Sequence, residues 1–278
     1  MDGRYAPSPS GPLHLGNLRT ALLAWLFARA AGSRFLLRIE DLDPERSRER
    51  WVESQLGDLT ALGIGWDGSP VRQSERTALY EEALESLRRQ GLAYECFCTR
   101  REIREAASAP HGPGSEGAYP GTCRELSARA RRRALDAGRR AALRVRAGGA
   151  SVAFTDRLQG EHEGVVDDFV VRRNDGAFAY NLAVVVDDGK QGIAEVVRGE
   201  DLLDSTPRQL WLARALGLSD FAYAHVPLVL GPDGERLAKR HGDVTLREVE
   251  PAAARASTRR RPIRARSRSR PTNMLRGS

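Results

Sequence analysis

A strand, a loop containing glycine and proline, and an amphipathic helix follow one another at the start of the chain, and this order constrains the fold most. Residues 4–7 lead into Ser-Pro-Ser-Gly-Pro at 8–12, where proline and glycine favour extended and turn conformations. Apolar residues recur at helical spacing over 17–31, and Gly32 is placed to end the helix. A short apolar strand is expected at 34–39. This alternation predicts an α/β fold with a parallel sheet.

The remainder of the chain continues the alternation, but its composition changes from Cys96 onward. Glycine and proline cluster over 110–121, and we interpret this region as an insertion. Periodicity predicts helices at 45–62, 75–90, 125–138 and 206–216. Short apolar runs predict strands at 142–146, 152–155, 165–173, 178–180, 183–186 and 226–230.

The positive charge of the chain is concentrated at its carboxyl end. The formal net charge is +7, and residues 251–278 hold nine arginines and no acid, so residues 1–250 carry 7 minus 9, or −2. A nucleic-acid role for residues 1–250 must therefore depend on local patches and motifs. Residues 251–278 contain few large apolar side chains, and this composition predicts a disordered tail.

The sequence shows no signal for membrane insertion or export. It contains no run of about 20 apolar residues, and its first residues form neither a basic leader nor an apolar signal stretch. We therefore expect a cytoplasmic protein that does not contact a membrane.

Two distant elements suggest a nucleotide site. His14-Leu-Gly16 stands directly before the first amphipathic helix, whose positive end suits a triphosphate. Lys239, on a glycine-rich loop after the last predicted strand, offers an amine that can neutralise charge on a departing pyrophosphate. Taken singly, each is more simply an incidental loop histidine or an exposed lysine.

Longer segments accompany these elements: Ala6-Pro-Ser-Pro-Ser-Gly-Pro-Leu-His-Leu-Gly16, Arg38-Ile-Glu-Asp-Leu-Asp43 and Val197-Arg-Gly-Glu-Asp-Leu202. Together they resemble the class I aminoacyl-tRNA synthetases of the glutamyl and glutaminyl group, over about residues 3–250. The resemblance implies a Rossmann-like, doubly wound parallel sheet in which His14, Gly16 and Lys239 bind ATP with magnesium. His14 and Lys239 would also be catalytic. Arg236 and Ala238 replace the lysine and serine of the family's lysine signature.

The same resemblance places a glutamate pocket on Arg4, Ser8, Glu40, Tyr180 and Arg198. Arginine forks hold a carboxylate in a bidentate way that a neutral amide cannot reproduce, which favours glutamate over glutamine. Glu40 would take the α-ammonium group. From the residues alone, Arg4 and Arg198 are equally compatible with surface ion pairs, and Tyr180 with an ordinary core or hairpin residue.

Three cysteines at Cys96, Cys98 and Cys123 favour metal ligation or free thiols over disulfides. Structural zinc usually takes four protein ligands, and general ligand preference points to His111 as the fourth. The glutamyl-queuosine branch of the resembled family instead has a tyrosine four residues before the last cysteine, which implies Tyr119. Buried thiols without metal are the alternative.

The resemblance to this short branch implies tRNA-independent activation of L-glutamate with ATP, followed by its transfer to queuosine in the anticodon of tRNA(Asp). The alternatives are a truncated glutamyl-tRNA synthetase that charges tRNA(Glu), and a non-catalytic RNA-binding descendant. We expect a monomer with a catalytic domain at 1–95 and 165–250, one structural zinc in an insertion at 96–164, and the tail at 251–278. Relatives continue into an apolar helix there, so the arginine-rich tail reflects either a shifted reading frame or an RNA-attracting arm.

Overall fold

The chain folds around one large, mostly parallel sheet. A computed structural model describes residues 1–107, 119–229 and 245–246, with side chains omitted at 104–107. His111, Lys239 and the tail at 251–278 lie outside the described residues. Within the described part, no helix is both long enough and apolar enough to cross a membrane.

The described strands are, in chain order, β1 (Gly3–Tyr5), β2 (Phe35–Ile39), β3 (Val71–Arg72), β4 (Ala93–Cys96), β5 (Ala142–Val145), β6 (Ala150–Asp156), β7 (Gly160–Val166), β8 (Val170–Arg172), β9 (Glu195–Gly199) and β10 (Ala222–Val226). The α-helices are α1 (Leu15–Ala30), α2 (Glu49–Ala61), α3 (Thr77–Arg89), α4 (Arg100–Ala107), α5 (Ala128–Asp136), α6 (Tyr180–Gln191) and α7 (Thr206–Ala215). Short 3₁₀ helices cover Gln73–Glu75 and Glu200–Ser205.

The large sheet has the strand order β3-β2-β1-β9-β10-β6-β7. All neighbouring pairs are parallel except β6 and β7, which form an antiparallel hairpin at one edge. The order reverses between β1 and β9, because the chain runs outward from β1 through β2 and β3 and later returns to the other side of β1. In open α/β sheets such a switch point leaves a crevice at the carboxyl ends of the strands, where ligands bind.

Helices cover both faces of this sheet. On β9, Val196 packs into the core beneath α3, α6 and α7, whereas Val197 packs into the core beneath α1 and α2. Tyr223 and Ala224 of β10 divide in the same way. The predicted α/β class with a mostly parallel sheet is therefore confirmed.

A second, smaller sheet has the antiparallel order β4-β5-β8. Its middle strand, β5, lies in the segment assigned to the insertion, whereas β8 lies in the segment assigned to the catalytic domain. The hairpin of β6 and β7 pairs with β10 in the large sheet. By strand pairing, residues 150–166 therefore group with the large sheet, whereas the sequence analysis divided them between insertion and catalytic domain. Pairing between strands so distant in the chain leaves no local signal in the sequence.

The strand predicted at 183–186 is wrong, because these residues lie in α6. Every side chain from Leu182 to Asp188 is buried, so the helix shows no amphipathic period and its valines suggest a strand. Burial against α3 and α7 outweighs the β-propensity of those valines. The strand predicted at 178–180 is also wrong, because only Phe178 forms an isolated bridge and Tyr180 begins α6. The final strand, predicted at 226–230, ends at Val226.

Candidate active site

A cavity of about 570 Å³ lies at the switch point, beyond the carboxyl ends of β1 and β9. Every predicted ATP or glutamate ligand within the described residues lines it: Arg4, Ser8, His14, Gly16, Glu40, Tyr180 and Arg198. These residues come from four separate stretches of the chain, at 4–16, 40, 180 and 198. The fold thus gathers the predicted site residues into one pocket, with Lys239 outside the described part.

His14 caps the first helix and faces the cavity. Its Nδ1 accepts hydrogen bonds from the backbone N–H of Gly16 at 3.1 Å and of Asn17 at 3.4 Å, and the Asn17 side chain accepts from the His14 N–H. Two of the helix N–H groups expected to bind phosphate are therefore already used within the protein. Since Nδ1 is an acceptor, the neutral ring carries its proton on Nε2, which is a hydrogen-bond donor.

A side chain at Gly16 would crowd this arrangement. A Cβ at this position would lie 3.0 Å from Cε1 and 3.1 Å from Nδ1 of His14, which is closer than van der Waals contact allows. The ring of His14 would have to shift by a few tenths of an ångström. Gly16 therefore leaves room for the histidine ring.

Arg4 belongs to a buried network of charges. Its Nε and Nη2 donate to the two carboxylate oxygens of Asp188 at 3.2 and 3.3 Å. Arg38 donates to Asp188 at 2.7 Å and to Glu40 at 3.4 Å. Burial alone would raise the pKa of Asp188, but the Arg38 and Arg4 guanidinium groups lower it below its usual value. Arg38 also lies 3.7 Å from Asp187, which pairs with Arg76 at 2.6 Å, so three arginines and three carboxylates balance in charge. Arg4 is not a surface residue.

Glu40 closes this network on the cavity side. Burial raises its pKa above the usual value, although Arg38 and Arg4 oppose the rise. The adjacent Asp187 is fully buried and accepts from Tyr80 at 2.8 Å and from Gln73 at 2.9 Å. These bonds hold α6 against α3 and against the 3₁₀ helix at Gln73–Glu75.

Arg198 is held differently from Arg4. It is 4% exposed, and its hydrogen-bond acceptors among the described residues are neutral groups. Nε donates to Nε2 of His225 at 2.9 Å and Nη1 donates to Gln209 at 2.6 Å. Nη2 donates to Thr206 at 2.8 Å. Within the described chain, no carboxylate lies at ion-pair distance from this guanidinium.

Several residues of the site were missed by the sequence analysis. Arg38 interrupts the apolar strand β2, Asp188 follows the apolar run of α6, and His225 stands within β10, so each is a polar residue in an apolar segment. Gln55, buried in α2, donates to the carbonyl oxygens of Ser8 and Gly11 and so shapes the loop after β1. Only the first three left a signal that could have been used.

The three cysteines come together beside β4. Their sulfur atoms all lie within 4.8 Å of one another, and the Sγ atoms of Cys98 and Cys123 are 3.5 Å apart. The hydroxyl oxygen of Tyr119 lies 3.3 Å from Sγ of Cys96 and 3.6 Å from Sγ of Cys98. Arg144 packs 3.7 Å over the Tyr119 ring. The cluster thus offers three sulfurs and one oxygen to a metal ion.

Residues 1–256 match the family model described as tRNA synthetases class I (E and Q), catalytic domain. The chain belongs to this family. Residues 1–256 include every described residue that lines the cavity.

Among curated relatives, the chain is 64% identical over 252 residues to the glutamyl-Q tRNA(Asp) synthetase of Nocardia farcinica, covering 90% of this chain and 79% of that protein. It is 52% identical to the protein of the same name from Symbiobacterium thermophilum, with 92% and 83% covered. Both matches extend over most of each chain.

Among solved structures, a glutamate tRNA ligase of Elizabethkingia meningosepticum in complex with its amino acid has a TM-score of 0.75 and 32% identity. The match covers 87% of this chain but 52% of the other, so the chain spans about half the length of that ligase. The shared part supports the synthetase fold described above.

Proposed function

We propose that this enzyme activates L-glutamate with ATP, without tRNA, and transfers the glutamyl group to queuosine in the anticodon of tRNA(Asp). The observation that carries the proposal is the pocket, which is lined by the buried Arg198 guanidinium, without a carboxylate partner among the described residues, and by Glu40, whose side chain is 11% exposed. Relatives at 64% and 52% identity, named for glutamyl-Q tRNA(Asp) synthesis, support the acceptor.

The amino acid would be oriented by opposite charges in the pocket. The side-chain carboxylate of glutamate would meet Arg198, assisted by Arg4, while its α-ammonium group would meet Glu40. Ser8 and Tyr180 complete the proposed wall, and Tyr180 is 40% exposed, which leaves it accessible to a ligand. Glutamine would lose a charge-assisted hydrogen bond to Arg198.

ATP would lie at the His14 end of the cavity with magnesium. The substrate's α-carboxylate would attack the α-phosphorus in line, so the protein contributes positioning and charge stabilisation rather than a covalent intermediate. The Nε2–H of His14 is suited to donate to a phosphate oxygen. Val229 lines the cavity and Thr245 pairs with His14, so both ends of the segment carrying Lys239 adjoin the ATP site.

We propose one structural zinc ion held by Cys96, Cys98, Tyr119 and Cys123. Sulfur ligands about 2.3 Å from a tetrahedral ion lie about 3.8 Å apart, close to the separation of Cys98 and Cys123. The Cys123 N–H donates to the Tyr119 oxygen at 2.8 Å, which would stabilise a bound phenolate. His111 lies outside the described residues and remains the alternative ligand. A monomer in the cytoplasm remains a prediction of the sequence.

The test is ATP–pyrophosphate exchange with purified protein. We expect exchange that requires glutamate, is absent with glutamine and does not require tRNA. Exchange that requires tRNA would favour the truncated glutamyl-tRNA synthetase, and no exchange would favour a non-catalytic descendant.

The acceptor is tested separately with labelled glutamate. We expect transfer to tRNA(Asp) that contains queuosine, no transfer to queuosine-free tRNA(Asp), and loss of transfer after periodate treatment of the queuosine diol. Labelling of tRNA(Glu) at its 3′ end would contradict the proposal.

A further inference from the structure

A buried row of three polar residues crosses neighbouring strands beside the cavity. Asp156 ends β6, His225 lies in β10, and Arg198 lies in β9, where the strand register places it directly opposite His225. All three are at most 4% exposed. Neither His225 nor Asp156 lines the cavity or has a part in the chemistry proposed above.

The hydrogen bonds determine which nitrogen of His225 carries the proton. A guanidinium group has only donors, so Nε2, which accepts from Arg198, is unprotonated. Nδ1 then carries the proton and donates to the Asp156 carboxylate at 2.6 Å. Burial, with Arg198 beside it, lowers the pKa of His225 to about 4, so the ring is neutral at pH 7.

Asp156 is fixed by other bonds as well. Its Oδ1 accepts from the backbone N–H of Leu158 and of Gln159, both at 3.0 Å, and from the N–H of His225 at 3.1 Å. Oδ2 therefore remains directed at Nδ1. Burial opposes ionisation, but these hydrogen bonds, above all that from His225, keep the pKa of Asp156 below its usual value.

A neutral hydrogen-bond acceptor such as His225 does not neutralise the positive charge of Arg198, as a carboxylate would. Asp188 orients Arg4 but also neutralises it, whereas His225 orients Arg198 and leaves its positive charge uncompensated at contact distance. Among the described residues, only the Gln209 side chain accepts a hydrogen bond from Nη1 of Arg198. The second N–H bond of Nη1 is therefore available to a ligand.

We propose that His225, held in one tautomer by Asp156, is a positioning residue that orients Arg198 for the substrate carboxylate and thereby sets the preference for glutamate. The proposal depends on the glutamate activation proposed above. It adds two residues to the specificity of the site, although neither touches the substrate.

Three substitutions test it through the KM for glutamate in pyrophosphate exchange. His225→Asn retains a group near Nδ1 but removes the acceptor for Arg198, and we expect the KM for glutamate to rise on the order of tenfold or more. His225→Gln places an amide oxygen near Nε2 and should keep the KM within about threefold of the wild-type value. The KM for ATP and the kcat should remain within about threefold in both variants, since Arg198 is proposed to hold the glutamate side chain and not ATP.

Asp156→Asn is the sharpest variant, because Oδ1 can keep its backbone bonds while an NH₂ group replaces Oδ2. That NH₂ would favour the opposite tautomer, which presents Nε2–H to the Arg198 donor, so we expect the same rise in the KM for glutamate. A purely structural role would instead lower the melting temperature and change the KM for ATP and kcat together, without rescue by His225→Gln.

The histidine tautomer can be measured in the wild-type protein even if a variant fails to fold. In ¹⁵N NMR of histidine-labelled protein, with His225→Gln for assignment, we expect a neutral Nδ1–H ring at pH 7. An imidazolium or an Nε2–H ring would overturn the inference. Glutamate-dependent exchange with an unchanged KM in His225→Asn would overturn only this inference, whereas no such exchange in the wild type would overturn the proposed function itself.

Discussion

The substitution Asp188→Asn tests the buried charge network most severely. It keeps the side-chain volume but removes the negative charge that faces Arg4 and Arg38 at 2.7 to 3.3 Å. The network of three arginines (Arg4, Arg38 and Arg76) and three carboxylates (Glu40, Asp187 and Asp188) then changes from balanced to a net charge of +1. The protein would have to bury an uncompensated guanidinium.

The magnitude follows from the two lost pairs. With charge centres about 4 Å apart and an effective dielectric of about 20, each pair is worth about 4 kcal/mol. About half of this sum is offset because the carboxylate no longer has to be desolvated, so we expect unfolding to cost about 4 kcal/mol less, as for other broken buried pairs. For a protein of this size the melting temperature should fall by about 8–16 °C.

Urea denaturation of Asp188→Asn at pH 7 measures this loss, with Asp220→Asn as the matched control. Asp220 pairs with Arg214 at 2.6 Å, but both side chains are about half exposed, so the control should lose at most about 1 kcal/mol. Equal, small losses in the two variants would refute the claim that Asp188 stabilises buried cations.

Three further predictions concern the His14 cap of α1, the buried His225 and the cysteine cluster. Gly16→Ala should displace His14 and raise the KM for ATP in pyrophosphate exchange. In the control Gly57→Ala, the new Cβ meets no atom within 4 Å, so the KM for ATP should stay unchanged while α2 is stabilised by about 0.5–1 kcal/mol. An equal effect of both substitutions on the KM for ATP would contradict the prediction. The pKa of His225 is about 4 in the folded protein and about 6.5 in the unfolded chain, so the unfolded chain binds an extra proton between these pH values. The free energy of unfolding, measured by urea denaturation, should therefore fall as the pH decreases through this window. The fall should be smaller in His225→Gln. Purified protein should contain about one zinc per chain by metal analysis, and Cys123→Ser should lose it; equal zinc in both would contradict the ligand set.

The sequence identified the parts of the site that lie at strand ends or in continuous motifs. Arg4, Glu40 and Arg198 each belong to such a segment, and the structure places all three around one cavity. Their predicted roles as ligands remain predictions. The sequence pattern shows the type of residue and its position at the end of a strand. This is enough to predict that the residues lie close together, because the carboxyl ends of parallel strands meet at one edge of the sheet.

The supporting contacts were not predictable in the same way. Asp188 lies 184 residues from Arg4, and its helix was expected to include a strand because its buried valines lack an amphipathic period. Asp156 and His225 are in contact because β6 pairs with β10 in the large sheet. Such pairings depend on tertiary packing, which no local spacing encodes.

The central claim is that one pocket at the switch point holds both glutamate and ATP. A crystal structure with a non-hydrolysable analogue of glutamyl adenylate tests it directly. We expect the α-ammonium group within hydrogen-bonding distance of Glu40, the side-chain carboxylate on Arg198, and the phosphate mimic beside Nε2 of His14. An analogue bound outside this cavity, or one with its carboxylate turned away from Arg198, would contradict the account.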